Sequence, residues 1–385
     1  MKILPLLLSL ALAGGVSFCA VAAPAGTLQI AHPAAWEVRT SMGFDALCAL
    51  NILSGDPYYT VLYPDETAMF QDAKYADARA AAVELKRRIK DEGKSIISAA
   101  LVLVFSGGPD DTLDDLLHSA RAPQQLERAF RAAAQWDQDT WREFLDSRET
   151  VVRALEAMRR AGFEQWWREH VAPETSAKAA ELRSELAKYD MSAEQRRLMG
   201  PSFKSDRLTV ILLHFSKPHG IRIQGSRYLL NVGYPLRIVL RGGAHEPFHP
   251  PFDIKNAGVK AAIARIGSGA TLQNIVKTHD PSFGYNSAEG MIDEDSTQAL
   301  EQIVSERLGF SSPARERWEA DDGMHLLAAA IYDAMRETGF VATGGVYQEW
   351  FVAMAKRGEF DEQALRARAT RVLGAQAVAR WTPHR

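Results

Sequence analysis

Apolar residues recur at three- and four-residue steps through much of the chain. Tyr75, Ala78, Ala82, Leu85 and Ile89 fall on one stripe, which predicts an amphipathic helix. Gly107-Gly108-Pro109 then breaks the pattern, and Asp111 or Thr112 offers a cap for the next helix. Trp136, Trp141, Phe144, Leu145, Val152, Leu155 and Met158 carry the helical period on to Gly162. Trp166 and Trp167 read as packing anchors in preference to a sugar-stacking platform. Residues 177–197 are alanine-rich and charged, predicting an exposed helix that Met199-Gly200-Pro201 ends.

The period changes after that. Residues 208–215 are β-branched and aliphatic, short, and bounded by Asp206 and Pro218, which predicts a buried strand. Ile221, Ile223, Tyr228, Leu230 and Val232 predict one or two more strands around Gly225-Ser226. Tyr234-Pro235 opens a helix with proline in its first turn. Helical periods return over 257–266, 287–308, 324–336, 347–356 and 361–373. The reading is α+β and predominantly helical. A helical N-terminal region covers 24–203, and a second domain with a small β-sheet covers 204–385.

The first residues follow a different rule. Lys2, the apolar run from Ile3 to Val16 and the small residues Ala20-Val21-Ala22-Ala23 predict a signal peptide over 1–23, and therefore a periplasmic or secreted protein. The run is short for a membrane anchor, and Phe18 is too bulky for lipid attachment at Cys19. Loss of Cys19 leaves Cys48 alone, so no intramolecular disulfide forms and stability must come from core burial or metal. Cys48 sits in the apolar run Ala46-Leu47-Cys48-Ala49-Leu50 and reads as a small buried hydrophobe. No second apolar stretch of about 20 residues occurs, so no stable membrane span is expected after signal cleavage. At 46% hydrophobic and 24% charged, the 385-residue chain belongs with folded globular proteins. Its 45 basic and 48 acidic residues give a net charge of −3, which supplies no electrostatic reason for a nucleic-acid partner.

The candidate chemistry follows the strands, in Ala244-His245-Glu246-Pro247-Phe248-His249-Pro250-Pro251. Histidines four apart on a helix share a face, and two neutral imidazoles so placed can hold Zn²⁺ while leaving positions for a third ligand and a water. Glu246 lies about a quarter turn away, in reach of that water. About 45 residues on, Gly290 to Glu301 opens a long helix on which Glu294, Gln298, Glu301 and Ser305 form a polar stripe. Either glutamate could complete the site, or the stripe could be an ordinary solvated face. Pro247 argues against a regular motif helix, because it removes a backbone donor and clashes with the carbonyl of Gly243. Gly242-Gly243 can loosen that turn and Pro250-Pro251 ends the element, so the helix is expected to be bent or very short.

The His-Glu-x-x-His segment, with a downstream helix carrying an acidic pair at Asp293-Glu294, resembles the gluzincin class of zinc metallopeptidases over roughly residues 205–310. The resemblance implies a zincin-like catalytic domain in which His245, His249 and Glu294 bind zinc and Glu246 is the general base. It favours Glu294 over Glu301, because Asp293-Glu294 stands where the class often has Asn-Glu. A peptide or protein substrate follows, with Glu246 taking a proton from water and passing it to the leaving amine. A donor to the oxyanion is also expected, with Tyr285, His279, His325 and Tyr347 as candidates. Asp253 either orients a ligand imidazole or caps the helix at Asn256. The strands around Gly225 either pair with an extended substrate or form a plain hairpin. The alternative function is a non-catalytic envelope protein that keeps the scaffold for partner binding. A metalloenzyme acting on a non-peptide amide is a third reading.

Overall fold

The computed structural model describes residues 7–9, 35–93, 95–133, 135–201, 203, 207–280 and 285–383. Most of the expected signal peptide, with its cleavage site and Cys19, lies outside the described residues. Contacts gather the chain into two compact units. The first holds the described residues of 7–9, 36–185 and 209–239; the second holds Ala35 and the described residues of 186–208 and 240–383. The boundary read from composition lies at 203/204 and assigns the strands to the second part. In the fold they group with the N-terminal helices, because Ile211, Leu213, Phe215, Ile221, Ile223 and Leu229 join the core formed by Phe44, Leu47, Leu101 and Phe105. The change in composition marks a change of secondary structure within one core.

In the first unit, the helix Met42–Leu53 is buried along its whole length. Ser41 starts it, with its Oγ accepting from Phe44 N at 3.0 Å. This helix packs against Ile97–Phe105, an apolar segment also buried throughout. Gly43 lets the helix pass close to the segment at Asp110, since a β-carbon there would collide with the carbonyl oxygen of Asp110. The stripe from Tyr75 to Ile89 is buried as expected, on the 3-10 turn Ala73–Tyr75, the helix Ala76–Leu85 and its π-helical continuation Lys86–Glu92. Thr112, one of the two expected caps, closes a capping box with Asp115. The helix Gln138–Arg160 packs on Ala76–Leu85, but Leu145 is exposed, one residue and about 100° of helix rotation from buried Phe144.

The sheet has the order β1-β4-β5-β3-β2, with β1 at Leu7–Ser9, β2 at Ala35–Thr40, β3 at Arg207–Leu213, β4 at His219–Ile223 and β5 at Arg227–Asn231. β3 and β5 run parallel in the register Ile211 to Leu229, and β4 runs antiparallel to β5. Gly225, at φ +77°, makes the turn between β4 and β5, a conformation that disfavours any side chain. Asp45 ties the Met42–Leu53 helix to the end of β3. Its carboxylate accepts from Phe215 N at 2.8 Å, His214 N at 3.1 Å and the Trp167 indole at 2.8 Å. Trp167 is thus the packing anchor that its position predicts.

The helix Leu236–His245 leads out of the sheet, and the chain passes from the first unit to the second at Val239 and Leu240. Residues 177–197 form the ends of two helices, Ala172–Leu186 and Met191–Met199, in place of the single helix expected; Asp190 caps the second. The helices Ala257–Gly267, Leu326–Glu337, Tyr347–Lys356 and Glu362–Leu373 lie where periodicity predicts them. The second unit is built around Ala288–Leu308, capped by Ser287 and ended by Gly309 in the left-handed region. Leu326–Glu337, Ala257–Gly267, Ala270–Thr278 and Met191–Met199 pack on it. It is buried on all sides from Glu294 to Ser305, polar residues included. No helix among the described residues is long and apolar enough to cross a membrane.

Candidate metal centre

His245 is the last residue of the Leu236–His245 helix, and Glu246–Phe248 continues as one 3-10 turn with Pro247 near its start. His249 has left the helical region altogether, at φ −81° and ψ 123°. The proline therefore breaks the element as its chemistry requires: a residue without an N–H is tolerated in a first turn, and Pro250 holds His249 extended. The break does not separate the rings. His245 Nε2 and His249 Nε2 face each other at 2.9 Å.

Glu294 completes the group. Its Oε2 lies 3.7 Å from His245 Nε2 and 3.5 Å from His249 Nε2. A circle through the three atoms has a radius of about 2 Å, close to a zinc–nitrogen or zinc–oxygen bond length. Glu294 Oε1 accepts from Gln298 Nε2 at 2.6 Å, while Oε2 has no hydrogen-bond partner among the described residues although the residue is fully buried. Two imidazole nitrogens and a bare carboxylate oxygen crowded together in a buried site repel one another unless a cation or proton lies among them. The His245-His249-Glu294 group can hold a metal ion. Nitrogen and carboxylate donors in a set of three match the ligand chemistry of zinc.

The outward nitrogens face polar groups of the Ala288–Leu308 helix. His249 Nδ1 faces Asp293 Oδ2 at 3.3 Å and Thr297 Oγ1 at 3.2 Å. His245 Nδ1 faces Glu301 Oε2 at 3.6 Å. Glu301 is ion-paired with Arg317 and lies 3.4 Å from Arg241 Nε. Burial pushes the Glu301 carboxyl up, but the charges of Arg317 and Arg241 outweigh it and leave the group ionised well below the usual range. Burial likewise pushes Glu294 up, and the imidazoles of His245, His249 and His325 bring it down on balance. His245 shows the converse: burial lowers its pKa, and Glu294, Glu301 and Glu246 together raise it on balance. Glu246 is itself buried, and its charge acts on the first histidine.

Of the four oxyanion candidates, two adjoin Glu294. Tyr285 is buried, and that burial together with the Glu294 carboxylate raises its pKa well above the usual value, so it stays a donor. His325 stacks edge-on to Tyr285, with ring centroids 5.9 Å apart, and its Nδ1 meets Asp295 Oδ1 at 2.6 Å. Asp295 Oδ2 also accepts from Ala328 N at 3.1 Å. His279 instead bonds its own helix, with Nδ1 at 2.8 Å from Ile275 O. Asp253 is not an orienting carboxylate: its Oδ1 accepts from Lys255 N at 2.9 Å, and Asn256 caps the next helix itself. The solvated-face reading of the polar stripe is also set aside, since Glu294, Gln298, Glu301 and Ser305 are all buried. Sequence reasoning misses Arg317, Arg241, Thr297 and the pairing of Asp295 with His325. Arg317 stands in an ordinary charged run, and only its placement beside Glu301 distinguishes it. No family model, no curated protein and no solved structure matches the chain.

Proposed function

We propose that this chain is a secreted zinc-dependent hydrolase of the gluzincin type that cuts peptide bonds. The observation that carries the reading is the convergence of His245 Nε2, His249 Nε2 and Glu294 Oε2 around one point, next to the buried acid Glu246. Three protein donors leave a further position open, which is the pattern of catalytic rather than structural zinc. Zinc held there would supply Lewis acidity toward a carbonyl oxygen and toward water. Glu246 would accept a proton from the attacking water and deliver it to the departing amine. Tyr285 would donate to the oxyanion, since it keeps its proton across the working pH range. His325, oriented by Asp295, is the second group able to serve that developing charge. Catalysis would then rest on a base and a donor set fixed by buried helices, with little reorganisation during the reaction.

The test is metal analysis of the purified mature protein before and after chelation, together with turnover of a generic unfolded protein. One equivalent of zinc, activity lost on chelation and regained with zinc would support the reading; a metal-free, stable protein would reject it.

A second reading is favoured by burial. His245, His249 and Glu294 are 2%, 4% and 0% exposed. So enclosed a group also suits a structural ion in a non-catalytic envelope protein that binds a partner. Full zinc occupancy without turnover, unchanged by substitution of Glu246, would favour this alternative.

A further inference from the structure

Both inward nitrogens of the metal centre must carry lone pairs at once, and a neutral imidazole has only one nitrogen without a proton. His245 Nε2 and His249 Nε2 face each other at 2.9 Å, so a proton left on either would occupy the space between them. Each ring must therefore hold its proton on Nδ1, and each Nδ1 needs an acceptor in a buried site. For His249 these are Asp293 Oδ2 and Thr297 Oγ1. For His245, Nδ1 has no hydrogen-bond partner within normal range among the described residues, and the group aimed at it is Glu301 Oε2 at 3.6 Å. Glu301 cannot turn away, because Arg317 grips the same Oε2 and Arg241 approaches Oε1. Glu294 and Glu301 are seven residues apart on one helix, two turns, which points both carboxylates at opposite edges of the same imidazole.

We propose that Glu301, held by Arg317 and Arg241, is a positioning residue that fixes His245 as its Nδ1–H tautomer and so keeps Nε2 available to the metal. This assignment rests on the metal-binding reading above and extends it: the residue that loses to Glu294 as a ligand acts on the same ring from behind. Arg317 neutralises the carboxylate without protonating it, so Glu301 remains an acceptor while adding little net charge to the site.

Ring-nitrogen NMR of the wild-type, zinc-loaded protein with ¹⁵N-labelled histidine tests the tautomer directly. The expected spectrum has a proton on His245 Nδ1 and metal on Nε2; metal on Nδ1, or a proton on Nε2, overturns the proposal. Zinc affinity by chelator competition gives the second readout. Glu301→Gln should weaken zinc binding about 10- to 100-fold. Arg317→Lys, which keeps the charge and loses the planar fork, should shift it in the same direction by less. Cobalt-substituted Glu301→Gln should also show an altered visible spectrum, which a merely structural role would not produce. Wild-type affinity and spectrum in folded Glu301→Gln overturn this inference while leaving the metal centre standing. A wild type that binds no zinc overturns both. If Glu301→Gln fails to fold, the wild-type spectrum alone decides.

Discussion

His245 and His249 bring their Nε2 atoms to 2.9 Å although one ends an α-helix and the other lies in extended backbone. A regular helix would set the rings side by side through spacing alone. Here a 3-10 turn around Pro247 does it, and the Ala288–Leu308 helix then meets both rings with Asp293, Glu294, Thr297 and Glu301.

Glu294→Ala should lose the metal, whereas Glu301→Ala should retain it at reduced affinity. Removing Glu294 deletes a donor from a three-donor set, while removing Glu301 leaves the donors in place but frees the ring. Metal content after gel filtration against a weak chelator separates the two. Equal retention by both variants would contradict the assignment of the third ligand.

Glu246→Gln should keep one equivalent of zinc and lower hydrolysis of an unfolded protein by about 10²–10⁴-fold, the contribution of a positioned proton acceptor. The amide keeps the shape of the side chain but cannot take a proton. Unchanged kcat would reject Glu246 as the base.

Asp45 makes folding pH-dependent in a defined window. Burial, only partly offset by the Phe215, Trp167 and His214 donors, raises its carboxyl from 3.8 to about 6 in the folded protein. The folded state therefore binds the proton more readily than the unfolded chain, and stability from this group is present below about pH 4 and lost as pH rises through 6. Urea titrations of wild type and Asp45→Asn at pH 4.5 and 7 check this. The wild-type advantage should shrink toward pH 7; an advantage that grows would contradict the sign.

Gly43→Ala should destabilise the protein by about 1–3 kcal/mol, because the new methyl meets backbone rather than a movable side chain. Gly55→Ala is the control: it has open space but a φ of +72°, so its cost comes from backbone strain alone. Chemical denaturation of both variants measures the difference, and a neutral Gly43→Ala would show that the Asp110 segment yields.

Local rules expose much of the fold in the sequence. The stripe from Tyr75 to Ile89, the cap at Thr112 and the helices of the C-terminal half follow from spacing and capping chemistry, which act within a few residues. The motif at His245 and His249 is legible for the same reason, including its distortion at Pro247. What spacing does not reveal is what lies opposite. Glu301 looks like a solvated helix residue until Arg317 arrives from another helix, and Asp295 looks like one of three acids until His325 meets it. The grouping of the strands with the N-terminal helices is hidden likewise, since Phe215 and Leu47 share a core across more than 160 positions of chain.

The enclosure of the three donor residues has a kinetic corollary. An ion seated among them would enter and leave only while the surrounding helices open, so its release would time that opening. A strong chelator added to the folded protein would then strip it at a rate independent of chelator concentration. Exchange would become a stopwatch for the breathing of the second unit.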